Sequence, residues 1–180
     1  ALQAAAAHTD IDDLEIDAAN STVRIADPEA SLDVGAVAKG YAVQRAAEAL
    51  KSAGVSGYVL NIGGNICSIG TKPDGSGWTT GVRDPADPAQ FAAKVLLSDG
   101  SCVTSGSYER YFTVDGVRYH HIIDPATQMP AGYFSSVTVL TEDSALADAL
   151  STALFCMPYE DGLALVEKIG GVEVLWITAD

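Results

Sequence analysis

The sequence predicts an α+β fold, in which a mostly antiparallel sheet packs against a few helices. The chain has 180 residues, of which 48% are hydrophobic, and this suits a single domain, taken as residues 1–180, with a core of its own. Short strand-like runs fill the middle of the chain, and few segments show helical periodicity. Because strands and helices do not alternate regularly, the pattern favours an α+β fold over an α/β fold.

The first part of the chain predicts one long helix among short strands. The opening run Ala1–Ala7 has the composition of a helix end. A helix over 37–53 stops at Gly54, because glycine commonly ends helices. Its apolar positions are Val37, Tyr41, Ala46 and Leu50. Strands are predicted over 22–26, 57–62 and 66–70.

The rest of the chain predicts strands first and helices later. The strongest hairpin signal is Asp115-Gly116, which joins strands over 111–114 and 117–123. A loop with two prolines covers 84–90. Further strands are predicted over 78–83, 95–97, 102–104, 137–140 and 172–178, and helices over 144–157 and 159–169.

Charge and composition exclude several classes of partner. The formal net charge is −14 and the pI is near 4.3, so the surface repels nucleic acid and anionic membranes. No apolar run approaches the length of a membrane span. The three cysteines are too few for a disulfide framework, and we expect Cys67, Cys102 and Cys156 to be buried free thiols.

Two of the three histidines, His120 and His121, end a strand-like run beside the turn Asp124-Pro125. A histidine exchanges protons near neutral pH, and one held where a strand enters a turn can meet a substrate. A pair of histidines on an exposed strand would give the same pattern, so this segment alone leaves both interpretations open.

Two glycine-containing segments could approach a phosphorylated ligand. In the first, Gly35 and Gly40 bracket a helix start, where free amides attract anions, and Lys39 adds a positive charge. In the second, a strand runs into Gly63-Gly64, where the backbone can approach a ligand closely. A solvated lysine and an ordinary tight turn explain the same residues equally well.

Two polar segments complete the candidates. Ser105 to Arg110 combines small polar residues with an aromatic ring and an arginine, although a loop before a hairpin would look similar. Asp148 and Thr152 lie four residues apart, so they share one face of a helix and can offer two oxygens to a hard cation such as Mg²⁺. The alternative is a surface aspartate, with Thr152 bonded back to the preceding turn.

Together, in this order, the segments resemble the ApbE family of flavin transferases, once described as thiamine-biosynthesis lipoproteins. The five matching segments span nearly the whole chain, which makes the resemblance far more specific than any one motif. They are Asp33 to Tyr41, Gly63-Gly64-Asn65, Ser105 to Arg110, His121 to Gln128 and Asp148 to Ala153.

The resemblance implies a Mg²⁺-dependent FAD:protein FMN transferase. Such an enzyme cleaves its substrate FAD at the pyrophosphate, attaches FMN through a phosphoester to a threonine or serine of an acceptor protein, and releases AMP. Two alternatives remain open: an FAD pyrophosphatase, which releases FMN and AMP, and a non-catalytic flavin-binding domain. The family is exported, so an extracytoplasmic location is expected, in the bacterial periplasm or as a membrane-anchored lipoprotein.

The resemblance also implies roles for particular residues. His121 is the general base, and Asp124 either orients it or closes the loop. The metal ligands are Asp148, Thr152 and the backbone carbonyl of Ala36. The flavin nucleotide is held by Lys39, Gly40, Gly63, Gly64, Ser105, Gly106, Tyr108, His121 and Ile122.

The chain departs from the family pattern at four points. Asn65 and Ser107 each stand where an aspartate is usual, and Gln128 stands where a glycine is usual. None of these changes removes a proposed metal ligand or the base, so they bear on specificity more than on activity. The fourth departure is an expectation: we expect the sequence to be either a fragment or a shortened variant without the family's N-terminal portion, which carries part of the flavin-binding wall.

Overall fold

The computed structural model describes residues 2–178 and has mixed α and β structure with mostly antiparallel sheets, as predicted. The predicted domain 1–180 also includes residues 1, 179 and 180, which lie outside the described residues. The predicted N-terminal helix end, Ala1–Ala7, includes the first of these. The helices are α1 (Leu2–Ala5), α2 (Ala38–Ser52), α3 (Ser144–Phe155) and α4 (Tyr159–Ile169), with 3₁₀ turns at Ala6–His8 and Ile11–Asp13. None of the described helices is long and apolar enough to cross a membrane.

Thirteen strands fall into one large sheet and four hairpins within the described residues. They are β1 (Leu14–Asp17), β2 (Thr22–Ile25), β3 (Tyr58–Ile62), β4 (Asn65–Ile69), β5 (Trp78–Arg83), β6 (Phe91–Leu97), β7 (Gly100–Gly106), β8 (Tyr111–Val114), β9 (Val117–His120), β10 (Ile123–Asp124), β11 (Met129–Pro130), β12 (Phe134–Thr141) and β13 (Glu173–Thr178). The large sheet has the order β13-β12-β7-β4-β3, and all its neighbours are antiparallel.

Helix α3 lies at the centre of the molecule. Its buried residues pack with those of β7 and β12 in a core that includes Val103, Val137, Val139, Leu154 and Phe155. Helix α2 packs beside α3 and covers β4 through Val43 and Ala47. Residues of α2 and residues of β7 therefore both contact α3.

Most predicted boundaries are confirmed within two residues, and the larger differences have local causes. Strand β6 begins at Phe91, β7 covers Gly100–Gly106 and β12 begins at Phe134, so all three are longer than predicted because pairing with neighbouring strands extends them. The predicted strand over 117–123 instead breaks after His120, where the chain leaves β8 and begins to pair with β11. Strands β1 and β11 were not predicted, although Leu14–Asp17 alternates apolar and polar residues.

The predicted apolar face of α2 was wrong at two of its four positions, whereas the other two, Ala46 and Leu50, are half-buried. Tyr41 is 60% exposed and Val37 is 38% exposed, whereas the buried positions are Gly40, Val43 and Ala47. The helix presents small residues to the interior because its axis lies close to α3. Hydrophobicity alone favoured the tyrosine.

The prediction that all three cysteines are buried is correct for two of them. Cys67 and Cys102 are buried, and burial raises the pKa of the Cys102 thiol to about 11. Cys156 is only partly buried, and it caps α3 through its N–H, which donates to the Ala153 carbonyl at 3.0 Å. Helix α3 thus ends two residues earlier than predicted, before Pro158.

Candidate active site

The candidate site begins where α2 starts beside the middle of α3. The Gly40 N–H donates to Asp148 Oδ2 at 2.7 Å, and Lys39 Nζ lies 3.9 Å from Asp148 Oδ1. Asp148 is buried, with 3% of its surface exposed, so the interpretation of it as a surface aspartate was wrong. The structure therefore joins the Lys39-Gly40 segment to the Asp148 segment, 108 residues apart in the sequence.

Gly40 allows this close approach. A Cβ atom at this position would collide with the Ser144 carbonyl oxygen and with Asp148 Cβ. Glycine is thus required here by the contact between two helices, not by a turn, and its backbone amide remains free to reach the buried carboxylate.

Thr152 lies one turn after Asp148 and is bonded to the sheet. Its Oγ1 lies 3.1 Å from Ser105 Oγ, and Ser105 Oγ lies 2.9 Å from Ser151 Oγ. The hydroxyl of Thr152 therefore bonds across to β7, whereas the alternative was a bond back to the preceding turn. This brings the predicted flavin-binding segment at Ser105 against the predicted metal ligands.

Ala36 lies in the turn immediately before α2 and is exposed. The Val37 and Ala38 N–H groups donate to the Val34 carbonyl at 3.0 and 2.9 Å, which closes this turn. The Ala36 carbonyl thus belongs to the loop that leads into Lys39, and the role of this carbonyl in metal binding stays a prediction.

The Gly63-Gly64 pair forms the tight turn between β3 and β4 and lies against Lys39. Both glycines have positive φ, 59° and 86°, which a larger residue rarely adopts. A Cβ at Gly63 would be 3.5 Å from Lys39 Cδ. The turn and the lysine are therefore neighbours, as expected if both contact one ligand.

Asn65, which replaces the usual aspartate, is buried and joined to α3. Its Oδ1 accepts from Ser144 Oγ at 2.8 Å, and its Nδ2 has no partner within the described residues. The amide accepts from Ser144 without placing a second carboxylate in this interior. The Ser144 N–H in turn donates to Gln44 Oε1 at 2.9 Å.

Ser144, Gln44 and Ser151 were not identified from the sequence. All three bond α3 to its neighbours, and their polar side chains inside helical segments were the available signal. A serine in the interior of a helix needs a partner when it is buried, so Ser151 in an otherwise apolar stretch could have been suspected.

Gly106 and Tyr108 form a compact unit at the end of β7. A Cβ at Gly106 would lie 2.7 Å from Tyr108 Cε1, so the ring covers the glycine. Burial raises the pKa of the Tyr108 phenol, and neighbouring Glu109 adds to the effect. The neighbouring Ser107, at the second aspartate position, directs its Oγ to the Ser135 carbonyl at 3.3 Å.

The two histidines have different environments. His120 is buried; its Nδ1 accepts from the Ile122 N–H at 3.3 Å, so its Nε2–H donates to the Ala131 carbonyl at 3.0 Å. Both ring nitrogens are thus used in a neutral imidazole, and burial lowers the pKa of His120. This arrangement assigns His120 a structural role.

His121 is exposed, and its Nε2 has no hydrogen-bond partner among the residues that the structure describes. Its Nδ1 lies 3.3 Å from the Arg110 carbonyl oxygen, which can only accept, so the proton sits on Nδ1. Nε2 is left with a lone pair directed elsewhere, which is the form of imidazole that a general base requires.

Asp124 is buried, and its carboxylate accepts hydrogen bonds from residues of its own turn. Its Oδ1 accepts from the Ala126 N–H at 2.8 Å and its Oδ2 from the Thr127 hydroxyl at 3.1 Å. These bonds favour the loop-closing role over the orientation of His121. Gln128, at the family's glycine position, keeps the left-handed backbone with φ 59°, and its N–H donates to the Asp124 carbonyl at 2.8 Å.

Ile122 has little left to offer a ligand. Its side chain is part of the main core, its N–H donates to His120 and its carbonyl accepts from the Ala131 N–H at 3.0 Å. Its predicted flavin contact stays a prediction.

The oxygen atoms of Asp148 and Thr152 are the candidate metal ligands. Within residues 2–178 no group of three or more His, Cys, Asp or Glu side chains could hold a metal ion. Mg²⁺, however, commonly takes one or two carboxylates, with water and substrate phosphate as its other ligands, so a carboxylate beside a hydroxyl fits its chemistry.

Comparison with known proteins gives the family. The ApbE family model matches residues 1–176. The chain belongs to the ApbE family. It is 40% identical over 169 residues to the FAD:protein FMN transferase of Treponema pallidum (strain Nichols), a match that covers 88% of this chain and 47% of that protein. It is also similar to the FAD:protein FMN transferase of Klebsiella pneumoniae (strain 342), with 35% identity over 165 residues covering 91% of this chain and 50% of that protein.

Solved structures of ApbE proteins share the fold. The ApbE protein from Thermotoga maritima superposes with a TM-score of 0.88 at 38% identity, over 97% of this chain and 57% of that one. The flavin transferase ApbE from Vibrio cholerae gives 0.85 at 35% identity, over 99% and 56%. The chain thus spans about half the length of the ApbE relatives that it matches.

Proposed function

We propose that this ApbE chain acts as an FAD:protein FMN transferase that depends on Mg²⁺. The phosphorus nearest the flavin is attacked by a threonine or serine hydroxyl of an acceptor protein; the pyrophosphate bond breaks, a phosphoester to FMN forms and AMP leaves. The observation that carries the proposal is that Lys39 and Gly40 of α2 meet Asp148 of α3, one helical turn before Thr152, whose hydroxyl bonds to β7. The names of its relatives support the flavin chemistry.

The residues at this point fit a hard divalent cation. Asp148 and Thr152, with the Ala36 carbonyl, would hold Mg²⁺, and Lys39 Nζ already lies 3.9 Å from the carboxylate that would bind it. When bound, Mg²⁺ neutralises charge on a pyrophosphate and on its leaving group. This compensation matters in a chain of net charge −14, whose surface otherwise repels an anionic dinucleotide.

Lys39 and the glycine turns would bind the pyrophosphate side of FAD. Lys39 is 43% exposed and lies beside Gly63, so its charge is available to a ligand at the α2 N-terminus. The backbone at Gly63-Gly64 has no side chain to obstruct an approaching phosphate. Tyr108 and Ser105 lie on the β7 side of the same region.

His121 would take the proton of the attacking hydroxyl. In the neutral imidazole that donates from Nδ1, Nε2 carries the lone pair, and the residue is exposed, as a base that meets an acceptor protein must be. His120 is not a candidate, since both of its nitrogens are bonded inside the protein. The acceptor would be a protein with an accessible threonine or serine, outside the cytoplasm if the exported location of the family applies.

Intact-mass spectrometry tests the proposal. The chain is mixed with FAD, Mg²⁺ and an acceptor domain that carries a candidate threonine, with EDTA in a parallel sample. The expected result is a mass gain on the acceptor equal to the FMN group with loss of water, and no gain with EDTA. Free FMN and AMP with an unmodified acceptor would indicate a pyrophosphatase, and FAD that binds without turnover would indicate a flavin-binding domain; either result would contradict the transferase.

A further inference from the structure

Three side-chain hydroxyls connect strand β7 to helix α3 next to the proposed metal ligands. Ser105 Oγ lies 2.9 Å from Ser151 Oγ and 3.1 Å from Thr152 Oγ1. Ser151 is fully buried, and its Oγ lies 3.0 Å from the backbone carbonyl oxygen of Asp148. The four groups form one continuous chain of hydrogen bonds.

The direction of this chain follows from proton counting. A carbonyl oxygen can only accept, so Ser151 donates its single hydroxyl proton to Asp148. Ser151 therefore has no proton for Ser105, and Ser105 must donate to Ser151. Ser105 has then used its own proton, so the bond between Ser105 and Thr152 must be donated by Thr152.

This direction leaves the Thr152 oxygen ready to bind a cation. Its proton is donated to Ser105, and no hydrogen bond described within residues 2–178 uses the lone pairs of Oγ1. A hydroxyl whose proton turned toward the cation would repel it. Without Ser105, the proton of a helical threonine has an alternative acceptor in the carbonyl of the preceding turn, which would reorient the oxygen.

We propose that Ser105 is a positioning residue that prepares Thr152 to bind Mg²⁺, instead of a direct contact for the flavin. The proposal rests on the proposed function, because it takes Thr152 as a ligand of the cation. The chain of bonds also ends on the backbone of Asp148, the residue whose carboxylate is the other side-chain ligand. Ser105 thus bonds to the hydroxyl of Thr152, and Ser151 bonds to the backbone of Asp148, so the two serines position both residues that supply side-chain ligands.

The test measures Mg²⁺ binding directly, by calorimetry on the purified chain with and without FAD, and measures FAD binding separately in EDTA. Ser105→Ala should weaken Mg²⁺ binding about tenfold or more, as loss of partners behind metal ligands commonly does, and should leave FAD binding in EDTA unchanged. Ser105→Thr keeps the hydroxyl and should recover most of the affinity. Ser107→Ala is the matched control, since Ser107 lies two residues away and bonds only to the Ser135 carbonyl among the contacts described.

Thr152→Ala separates the two proposals. If Thr152→Ala weakens Mg²⁺ binding and Ser105→Ala does not, the positioning role is overturned and the metal site stands. If neither variant weakens it, or if the unaltered chain binds no Mg²⁺ with FAD present, the metal site falls and the positioning role with it. Loss of FAD binding in EDTA by Ser105→Ala, with Mg²⁺ binding intact, would make Ser105 a flavin contact. Equal weakening by Ser105→Ala and Ser105→Thr would show that the hydroxyl is not the group that matters.

Discussion

At the scale of single residues, two adjacent histidines, His120 and His121, have different hydrogen-bond partners and therefore suit different roles. His120 ends β9 with its ring directed into the protein, where it meets Phe155 edge-on with ring centroids 5.7 Å apart. His121 follows it and faces outward. Successive residues of an extended chain point to opposite sides, so a pair of identical residues naturally divides into one buried and one exposed member.

Replacement of His121 tests its role as the base. His121→Ala should reduce FMN transfer at least about a hundredfold, because it removes the proton acceptor for the attacking hydroxyl. Initial rates from acceptor mass give the measurement, and thermal unfolding should be nearly unchanged because the side chain is exposed. Full transfer by this variant would remove His121 from the mechanism.

His120 predicts a pH dependence of stability. Burial lowers the pKa of His120 below its ordinary value of 6.5 in the folded state, so below about pH 6.5 the unfolded chain binds a proton that the folded chain does not. This contribution to stability is complete above pH 6.5 and is lost as pH falls below it. Urea unfolding between pH 5 and 8 should show the loss, and His120→Gln should show a flatter profile although its stability is lower throughout. A wild-type and a variant profile of equal slope would contradict the prediction.

At the scale of elements, the site depends on the contact between α2 and α3. Small residues on one face of α2, Gly40 and Ala47, allow the helices to approach until an amide of one meets a carboxylate of the other. One helical turn further along α3, β7 holds the helix through the Ser105 hydroxyl. The helix that carries both side-chain metal ligands is thus fixed by two neighbouring elements, which is how a rigid scaffold keeps ligand geometry.

Gly40→Ala tests this contact. The added methyl would meet the Ser144 carbonyl and Asp148 Cβ, both within the helix pair, so we expect a loss of about 1–3 kcal/mol in the free energy of unfolding, together with weakened Mg²⁺ binding. Denaturant unfolding and calorimetry provide the two measurements. Gly132→Ala is the matched control, because a Cβ there meets nothing within 4 Å and its stability should be almost unchanged. Equal stability of the two variants would mean that the helices separate at little cost.

At the scale of the whole molecule, the dominant property is negative charge. The chain carries a net charge of −14, whereas the proposed ligand, FAD, is a dinucleotide with a negatively charged pyrophosphate. Within the site, Lys39 supplies a positive charge that acts locally. The repulsion acts over longer distances and is reduced by salt.

The charge balance predicts an unusual salt dependence. In EDTA, FAD binding should become tighter as KCl rises, because the screening length falls from about 30 Å at 0.01 M to about 8 Å at 0.15 M and removes the long-range repulsion first. Fluorescence titration of FAD at several KCl concentrations provides the measurement, and uncharged riboflavin, which should show little dependence, provides the control. Weaker FAD binding at higher salt would mean that the contact with Lys39 outweighs the charge of the surface.

Sequence patterns were sufficient for the α+β class, for most strands and helices and for the family, because periodicity and ordered motifs are local in the chain. Only through the family resemblance did they assign Lys39, Gly40, Asp148 and Thr152 to one proposed site. Sequence patterns did not predict which face of α2 is buried, because burial there is decided by how closely another helix approaches and not by the hydrophobicity of its own residues. The burial of Asp148 and the bond from Gly40 likewise exist only after 108 residues of chain have been folded back.

Only the tertiary structure decided which histidine is free, that Asp124 serves its own turn, and that Ser105 meets Thr152. In each case the deciding fact is a hydrogen-bond partner from elsewhere in the chain or from the opposite side of a turn. A sequence specifies which side chains can donate and accept. Folding decides which of those groups are buried, and a buried polar group must then be paired, so the fold assigns the partners and with them the chemistry that each residue retains.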